Sequence, residues 1–295
     1  MKFSLKSALV VITLTVCGLI FFVEPHLRIK RQNDVISVLT LDVDSIEREN
    51  GNVTTIKCTF QAGGGDTFVP IPIERISALY KLKNLYFQSV SFDSLESISK
   101  LNQLETLWIN DCRIKDVSSV AELQINHFML DDEKLASQFP VMPKLERLTL
   151  GQTNQGYWGT LTDGFDDVYQ PPPVGYPFGQ LKPYRSVAQL DLLLLTITKF
   201  DGLELFPNLK ILTLHGCELI GFDGIEKLPS LQSIDLKVMS PNAPSLRELD
   251  LTPLTKCQTL GRLILPESTS ADVLNEIKML LPECEVVSFE APTEN

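Results

Sequence analysis

Histidine and cysteine are two residue types that can supply a nucleophile, a general base or a metal ligand. The sequence contains three histidines and six cysteines. A Cys–His pair needs both side chains on one surface. Cys112 and Cys217 fall at inward turn positions of repeated segments, whereas His127 and His215 fall at outward strand positions. The spacing therefore favours buried thiols that pack as small apolar groups, and it predicts no catalytic pair.

The sequence contains none of the common motifs for catalysis, cofactors or metals. There is no GxSxG, HExxH, Walker A or dinucleotide fingerprint, and no cysteine spacing typical of a zinc site. The run Gly63-Gly64-Gly65 is not followed by the Lys-Ser or Lys-Thr of a phosphate loop, so it predicts a flexible joint. We therefore expect no catalytic residue, no cofactor and no metal.

The outward residues of three successive predicted strands indicate a binding surface. Their mixture of apolar, acidic and basic side chains differs from a uniformly solvated surface, and Asp191 and Asp235 are expected to flank His215. An aromatic segment before these strands supplies Tyr157 and Trp158, which we expect to form a wall beside the patch. The predicted partner-binding residues are Tyr157, Trp158, Asp191, Leu193, Thr213, His215, Asp235 and Lys237.

The elements that position these residues are copies of one repeat. From Leu209 to Leu231 the chain reads Leu-x-x-Leu-x-Leu-x-x-Cys-x-Leu-x-x-Phe-x-x-Ile-x-x-Leu-x-x-Leu, and the pattern begins again after 22 residues. Leu212 and Leu214 are expected to point to one face of a short strand, while Thr213 and His215 point to the other. The later spacing of three is typical of a 3₁₀-like arc. Stacked copies bury a continuous core, which one copy cannot do alone.

A further copy, from Leu190 to Leu203, reads Leu-x-Leu-x-x-Leu-x-Ile-x-x-Phe-x-x-Leu. These consecutive repeats resemble the leucine-rich repeat family, in the form shared by phosphatase-regulator repeats and bacterial internalins. The resemblance implies an α/β fold, a curved solenoid with a parallel sheet on its concave side and a 3₁₀ or irregular convex side. It also implies a protein-binding surface. The family often has Asn at a turn position that this chain fills with Val90, Cys112, Leu195 and Cys217. We therefore expect either that those hydrogen bonds are made differently or that the turn is looser.

The repeat frame divides the chain into four expected regions. They are a membrane segment with its basic flank (1–31), an N-terminal β-rich cap (32–72), the leucine-rich repeats (73–269), and a C-terminal cap and tail (270–295). The repeat strands are expected at 85–87, 107–109, 128–130, 148–150, 190–192, 212–214, 234–236 and 263–265.

The two ends of the solenoid need caps, because an open end would expose its core. At the N-terminal end, β-rich runs over 35–42 and 53–60 flank a tight-turn pair at Asn50-Gly51, which predicts a β-hairpin after a charged linker over 24–33. At the C-terminal end, Ser270 is expected to cap a helix from Ala271 to Leu281. A final strand is expected over 286–289.

Two breaks in the repeat frame predict insertions at one edge of the solenoid. The strand positions Leu148 and Leu190 are 42 residues apart, which places an insertion near 153–177, and a second break places another near 239–246. Aromatic loops on a scaffold often contact ligands. Packing of these aromatic side chains onto the solenoid itself is the alternative interpretation.

The uncharged apolar run from Ser7 to Val23 follows Lys2 and Lys6, a pattern typical of an export signal or membrane segment. No Ala-x-Ala cleavage site follows the run. We therefore expect an uncleaved single-pass anchor that holds the solenoid outside the cytoplasm. Secretion after cleavage of a signal peptide is the alternative.

The formal net charge of −11 argues against nucleic-acid binding, which needs a basic footprint. The same charge would attract a basic protein partner. The sequence as a whole predicts a membrane-anchored, non-catalytic platform that binds a protein or peptide. Two alternatives stay open: a carbohydrate-binding or enzymatic protein with a site formed by the aromatic insertion, and an envelope structural protein.

Overall fold

The computed structural model describes residues 24–39, 43–59, 69–70, 73–131, 133–151, 176–240 and 243–289. The predicted membrane segment from Ser7 to Val23 and the insertion residues Tyr157 and Trp158 lie outside these ranges. Within the described ranges, no helix combines the length and the apolar character that a membrane crossing requires.

The described elements are mostly short strands joined by short helical turns. The strands are β1 (Val43–Glu49), β2 (Asn52–Thr59), β3 (Val69–Pro70), β4 (Asn84–Gln88), β5 (Val90–Ser94), β6 (Thr106–Asn110), β7 (Arg113–Asp116), β8 (His127–Leu130), β9 (Arg147–Gly151), β10 (Gln189–Leu193), β11 (Thr196–Ile197), β12 (Ile211–Leu219), β13 (Ser233–Met239), β14 (Arg262–Leu265) and β15 (Glu285–Ser288). The α-helices are α1 (Glu24–Leu39), α2 (Glu96–Ser99), α3 (Glu133–Gln138), α4 (Thr252–Thr255) and α5 (Ala271–Leu280).

One long sheet runs the length of the molecule in the order β1-β2-β4-β6-β8-β9-β10-β12-β13-β14-β15. β1 and β2 are antiparallel, and every later neighbour along this path is parallel. The register joins equivalent repeat positions, so Leu212 lies beside Leu190 on one side and Ile234 on the other. The eight predicted repeat strands are confirmed, and the fold is the leucine-rich repeat solenoid that the sequence pattern indicates.

A continuous apolar stack forms the core behind this sheet. Leu212 and Leu214 of one repeat and Ile234 of the next are completely buried. On the arc side, the rings of Phe200 and Phe222 stack with their centroids 6.2 Å apart. Each fully buried side chain of this size contributes about 1.5–3 kcal/mol, so the core strengthens with every added repeat.

The arcs behind the strands contain the tight turns that the spacing of three predicts. 3₁₀ helices span Ile73–Ala78, Ser118–Glu122, Phe178–Gln180, Leu203–Leu205 and Ile225–Lys227. In other repeats a short α-helical turn takes the same place, as in α2 and α4. The arcs therefore share their apolar spacing, whereas their helical hydrogen-bond pattern differs from repeat to repeat.

A left-handed residue lets the chain leave the sheet at the end of a strand. The backbone φ is 55° at Ser89, 45° at Asp111, 55° at Leu194 and 64° at Gly216. The first three directly follow strand ends, and Gly216 occupies the equivalent repeat position within the longer strand β12. Three of the four are not glycine, although this conformation costs other residues roughly 1–2 kcal/mol. The turn is thus kept by its surroundings rather than by residue preference.

Backbone pairing between repeats makes the turn hydrogen bonds that the missing Asn side chains would supply. The N–H of Leu194 donates to the carbonyl of His215 at 2.9 Å, and the N–H of Glu218 donates to the carbonyl of Leu195 at 2.9 Å. β11 then pairs in parallel with the far end of β12, and β3, β5 and β7 form an equivalent small sheet. The thiol of Cys217 adds a contact of 3.3 Å to the carbonyl of Leu192.

The N-terminal end differs from the sequence prediction. Helix α1 occupies the expected linker and most of the run expected as a strand over 35–42, and the first strand begins only at Val43. Val35 and Ile36 are buried, and the Gln32 side-chain oxygen accepts the N–H of Val53 at 3.1 Å. This tertiary packing against the end of the solenoid outweighs the local β propensity of the segment.

The hairpin itself is present, formed by β1 and β2. Its turn lies at Asn50 and Gly51, whose φ angles are 50° and 76°, as the tight-turn pair predicts. At the other end, Ser270 accepts the N–H of Val273 and begins α5. β15 then pairs with β14, which confirms the predicted helix and final strand.

Candidate functional site

The parallel register aligns outward side chains into rows across the sheet. We call the surface that carries them, opposite the apolar core, the open face. Its middle row runs from one end of the molecule to the other and consists of Lys57, Tyr86, Trp108, Met129, Thr149, Asp191, Thr213, Asp235, Ile264 and Val287. Neighbouring members are about 4.8 Å apart, the spacing between strands.

The predicted patch occupies this row and the outward row two residues further along the strands. The order of the side chains differs from the expected order. Asp191 and Asp235 flank Thr213 rather than His215. His215 instead lies between Leu193 and Val238, because the register of β13 shifts after Asp235. The expectation that the two carboxylates flank His215 is therefore wrong, and the irregularity in β13 also places Val238 where Lys237 was expected.

Asp191 lies in a polar network that sequence reasoning missed. Its carboxylate accepts hydrogen bonds from Arg147 Nε at 2.5 Å, from Gln189 Nε2 at 3.0 Å and from the Thr149 hydroxyl at 3.3 Å. The residue is only 3% exposed. Its charge is thus already compensated within the sheet, whereas half of the Arg147 side chain stays in solvent.

His127 extends the network by one strand. Its Nε2 lies 3.0 Å from the Thr149 hydroxyl oxygen. Since that hydroxyl donates to Asp191, Nε2 of a neutral imidazole donates to it. Burial, followed by the charge of Arg147, lowers the pKa of His127 to about 4, although Asp191 opposes the change. The order is therefore histidine to hydroxyl to carboxylate, and a histidine that donates cannot deprotonate the hydroxyl as a catalytic triad requires.

The thiols lack the features of nucleophiles. None of the five described cysteines forms a disulfide, and Cys58, Cys112, Cys217 and Cys257 are buried. Burial raises the pKa of Cys217 to about 12 and also raises the pKa of Cys112. A thiolate is the reactive form, so both side chains act as small apolar groups at neutral pH.

The N-terminal end of the middle row is aromatic. The rings of Tyr86 and Trp108 pack edge to face, with centroids 5.4 Å apart. The ammonium of Lys57 lies 5.5 Å from the centre of the Tyr86 ring, within the range of a cation–π contact. Partial burial, with a smaller effect from Glu47, raises the pKa of Tyr86.

Two carboxamides lie one position further along the same strands. Gln88 and Asn110 are register partners, and strand alternation places them on the open face with Tyr86 and Trp108. Gln88 is 8% exposed and Asn110 is completely buried. The side-chain oxygen of Gln88 and both polar atoms of Asn110 have no hydrogen-bond partner. The repeat pattern in the sequence places both residues at outward strand positions. Nothing in the neighbouring sequence indicates that their side chains are buried.

The second predicted insertion borders a cleft of about 710 Å³ beside the C-terminal helix. Its walls come from Met239, Ser240 and residues 243–246 on one side, and from residues 266–270 and Val273 on the other. Among the described residues, no group of three His, Cys, Asp or Glu side chains is placed to hold a metal ion. The longer insertion, with Tyr157 and Trp158, lies outside the described residues.

Comparison with known proteins found several similar solved structures. No protein-family model matches the sequence, and no curated protein matches it. An internalin of Listeria monocytogenes (inlF) is 14% identical, with a TM-score of 0.38, over 87% of this chain and 74% of that chain. A leucine-rich repeat protein of Leptospira interrogans is 15% identical, with a TM-score of 0.29, over 87% of this chain and 97% of that chain.

A third similar structure is the complex of Latrophilin 3, Unc5D and FLRT2, in which the matching chain is 12% identical, with a TM-score of 0.41. That match covers 83% of this chain and 72% of the other. At these values no argument about function rests on the likeness. The class of this protein, a leucine-rich repeat solenoid, follows from its own repeats and sheet register.

Proposed function

We propose that this chain is a membrane-anchored, non-catalytic platform that binds a protein or peptide along the open face of its sheet. The observation that carries the proposal is the middle row, in which ten outward side chains follow one register across ten strands. Such a row presents chemically different side chains at a fixed spacing. An extended partner can therefore read several of them at once, with specificity set by their order.

The first binding patch comprises the residues expected from the sequence. Leu193, Thr213 and His215 are partly exposed, so they are available to a partner. Asp191 and Asp235 are buried, and their role in the proposal is to hold the neighbouring side chains in place. The aromatic pair Tyr157 and Trp158 completes the proposed patch, without Lys237, whose expected position in the register is taken by Val238.

The hydrogen-bond directions in the polar network support the non-catalytic part of the proposal. His127 donates to the Thr149 hydroxyl rather than taking its proton. The Asp191 carboxylate, which accepts from that hydroxyl, is already compensated by Arg147 and Gln189. These contacts stabilise the sheet surface, which is what a binding platform requires.

The anchor in the proposal is the run from Ser7 to Val23. Helix α1 begins at Glu24, immediately after that run, and its buried residues Val35 and Ile36 pack on the solenoid. An anchor there would hold the open face at a short, fixed distance from the membrane, with the solenoid on the extracytoplasmic side.

Capture of a partner from native membranes tests the proposed function. The bait is the full chain, compared with Leu193→Ala, His215→Ala and Trp158→Ala variants. We expect a partner that the wild type captures and that these variants lose by at least about tenfold. Ile211→Ala is the matched control, since Ile211 is exposed on the same face outside the patch.

Circular dichroism and melting temperature establish that each variant is folded. Equal capture by all folded variants would remove the patch from the proposal. Failure of the wild type to capture any protein or peptide would remove the platform function itself.

A further inference from the structure

We propose that Tyr86, Trp108, Gln88 and Asn110 form a second site, which binds an extended basic peptide segment of a partner protein. This inference rests on the proposed function, because it names a site and a partner chemistry for the same open face. The four residues form a two-by-two array on β4 and β6: an aromatic pair beside a carboxamide pair.

The carboxamides are the first reason to assign a ligand. Asn110 is completely buried, and neither its side-chain nitrogen nor its oxygen has a hydrogen-bond partner; the Gln88 oxygen is also unpartnered. Leaving such groups buried and unpaired destabilises the folded chain, because their lost hydration is not replaced. An occupant that supplies one donor and one acceptor relieves this cost, and a peptide group carries both.

The aromatic pair explains why a cation should accompany that peptide group. The Lys57 ammonium already lies over the Tyr86 ring, so this surface accepts a positive group on a ring within the protein itself. Trp108, the register partner of Tyr86, is the stronger cation–π acceptor of the two ring types. It is partly exposed and available to a lysine or arginine of the partner.

Carboxylates at the neighbouring strand ends supply the charge complementarity. Asp111 follows Asn110 directly, and its backbone N–H donates to the Asp131 carboxylate at 2.8 Å. The Asp111 carboxylate in turn accepts from the Ser89 hydroxyl at 2.9 Å. Both carboxylates therefore stand at the carboxamide end of the array, and the net charge of −11 steers a basic segment towards it.

The geometry also sets the form of the ligand. Side chains of an extended peptide alternate between two sides at about 3.3 Å per residue. When the carboxamides hold one peptide group of the ligand, the next side chain of the ligand lies about 3.3 Å further along. The Trp108 ring, two residues from Asn110 on β6, is within reach of that side chain. Within a helix the peptide groups are already paired with one another, so the middle of a helical partner would leave the carboxamides unpaired.

Selection from a displayed library of random 12-residue peptides tests the site. The full chain is the target, and the Trp108→Ala variant is used for counter-selection. We expect peptides that depend on Trp108 and are rich in lysine and arginine. Binding of a selected peptide, measured by fluorescence anisotropy, should weaken at least about tenfold in Trp108→Ala and remain unchanged in Ile211→Ala.

The Asn110→Leu variant separates binding from folding. Because the Asn110 carboxamide is buried without partners, an apolar side chain of similar size should leave the melting temperature unchanged or raise it. The same variant should weaken peptide binding about tenfold. A lower melting temperature with unchanged binding would show that the carboxamide has a structural role only, and would overturn the proposal.

The remaining outcomes are equally decisive. Selected peptides that are acidic or uncharged, or Trp108-dependent binding of a neutral oligosaccharide such as maltohexaose in place of peptides, would overturn the basic-peptide site. If no Trp108-dependent peptide emerges while the native partner is still captured through Leu193 and His215, this inference fails and the proposed function stands. If neither is found, both fail.

Discussion

Single buried positions decide whether this chain can fold, since each repeat contributes only a few side chains to the core. Leu212 is completely buried between Leu190 and Ile234, its register partners. Its neighbour Ile211 lies on the open face and is 40% exposed. These two adjacent aliphatic side chains thus lie on opposite faces of the sheet, because strand side chains alternate between the two faces.

Leu212→Asp should lower the free energy of unfolding by roughly 3–5 kcal/mol, because it places an unpaired charge in the core. Ile211→Asp is the matched control and should change it by no more than about 0.5 kcal/mol. Thermal and chemical denaturation measure both. Equal melting temperatures for the two variants would contradict the inward assignment of Leu212.

His127 makes stability depend on pH in a defined direction. Its folded pKa of about 4 lies below the ordinary value of 6.5. Between these values the unfolded chain binds a proton that the folded chain excludes. The contribution of His127 to stability is therefore complete above about pH 6.5 and is lost as the pH falls to about 4.

The test compares the pH dependence of unfolding for the wild type and His127→Gln, which cannot titrate. The wild type should lose stability more steeply between pH 6.5 and 4, and the two profiles should run parallel above that range. Profiles that stay parallel throughout would show that the folded imidazole titrates normally.

The arcs depend on backbone shape as much as on apolar side chains. Gly202 begins the 3₁₀ helix Leu203–Leu205 with a φ of 99°, and Gly224 begins the next arc with a φ of 90°. A Cβ on Gly202 would lie 2.3 Å from the backbone nitrogen of Gly179 in the preceding arc. Successive arcs are therefore packed backbone to backbone at this point, which only glycine permits.

Gly202→Ala should destabilise the protein by about 2 kcal/mol or more, since it combines a strained φ with a clash against a rigid backbone. Gly179→Ala is the control, because a Cβ there meets nothing within 4 Å and the φ is not positive. The difference between the two melting temperatures is the measurement. Equal values would mean that the arcs separate at little cost.

At the scale of the whole molecule, the position of α1 determines how the proposed anchor meets the solenoid. The helix packs on the N-terminal end through Val35 and Ile36, and through the hydrogen bond between Gln32 and Val53. Arg48 adds a contact of 2.7 Å to Asn33. A cut at residue 31, the boundary expected from the sequence, would therefore divide a packed helix.

Deletion of residues 1–23 should release the protein from membranes with its melting temperature unchanged, because α1 stays intact. Deletion of residues 1–39 should release it as well but lower the melting temperature, since the N-terminal end loses its buried contacts. Fractionation and thermal denaturation measure the two effects. A mature N-terminus inside or just after the apolar run would instead establish a cleaved signal peptide.

The sequence by itself determined the solenoid, because its information lies in residues that face the core. Leucine spacing specifies strand positions, inward faces and arcs within one repeat, and repeats with the same apolar positions stack with those positions in register. The helix at the C-terminal end was equally readable from Ser270 and its apolar face. These features depend on near neighbours in the chain, so local physical chemistry is sufficient to predict them.

Only the tertiary structure decided how outward residues meet. Arg147 and Asp191 are 44 positions apart and pair because their strands are adjacent, while an irregularity in β13 moves His215 away from the expected carboxylates. Outward positions carry no periodic apolar signal, so their partners depend on register, bulges and burial by distant segments. The unpartnered carboxamide of Asn110 has the same origin, since burial is a property of the assembled fold.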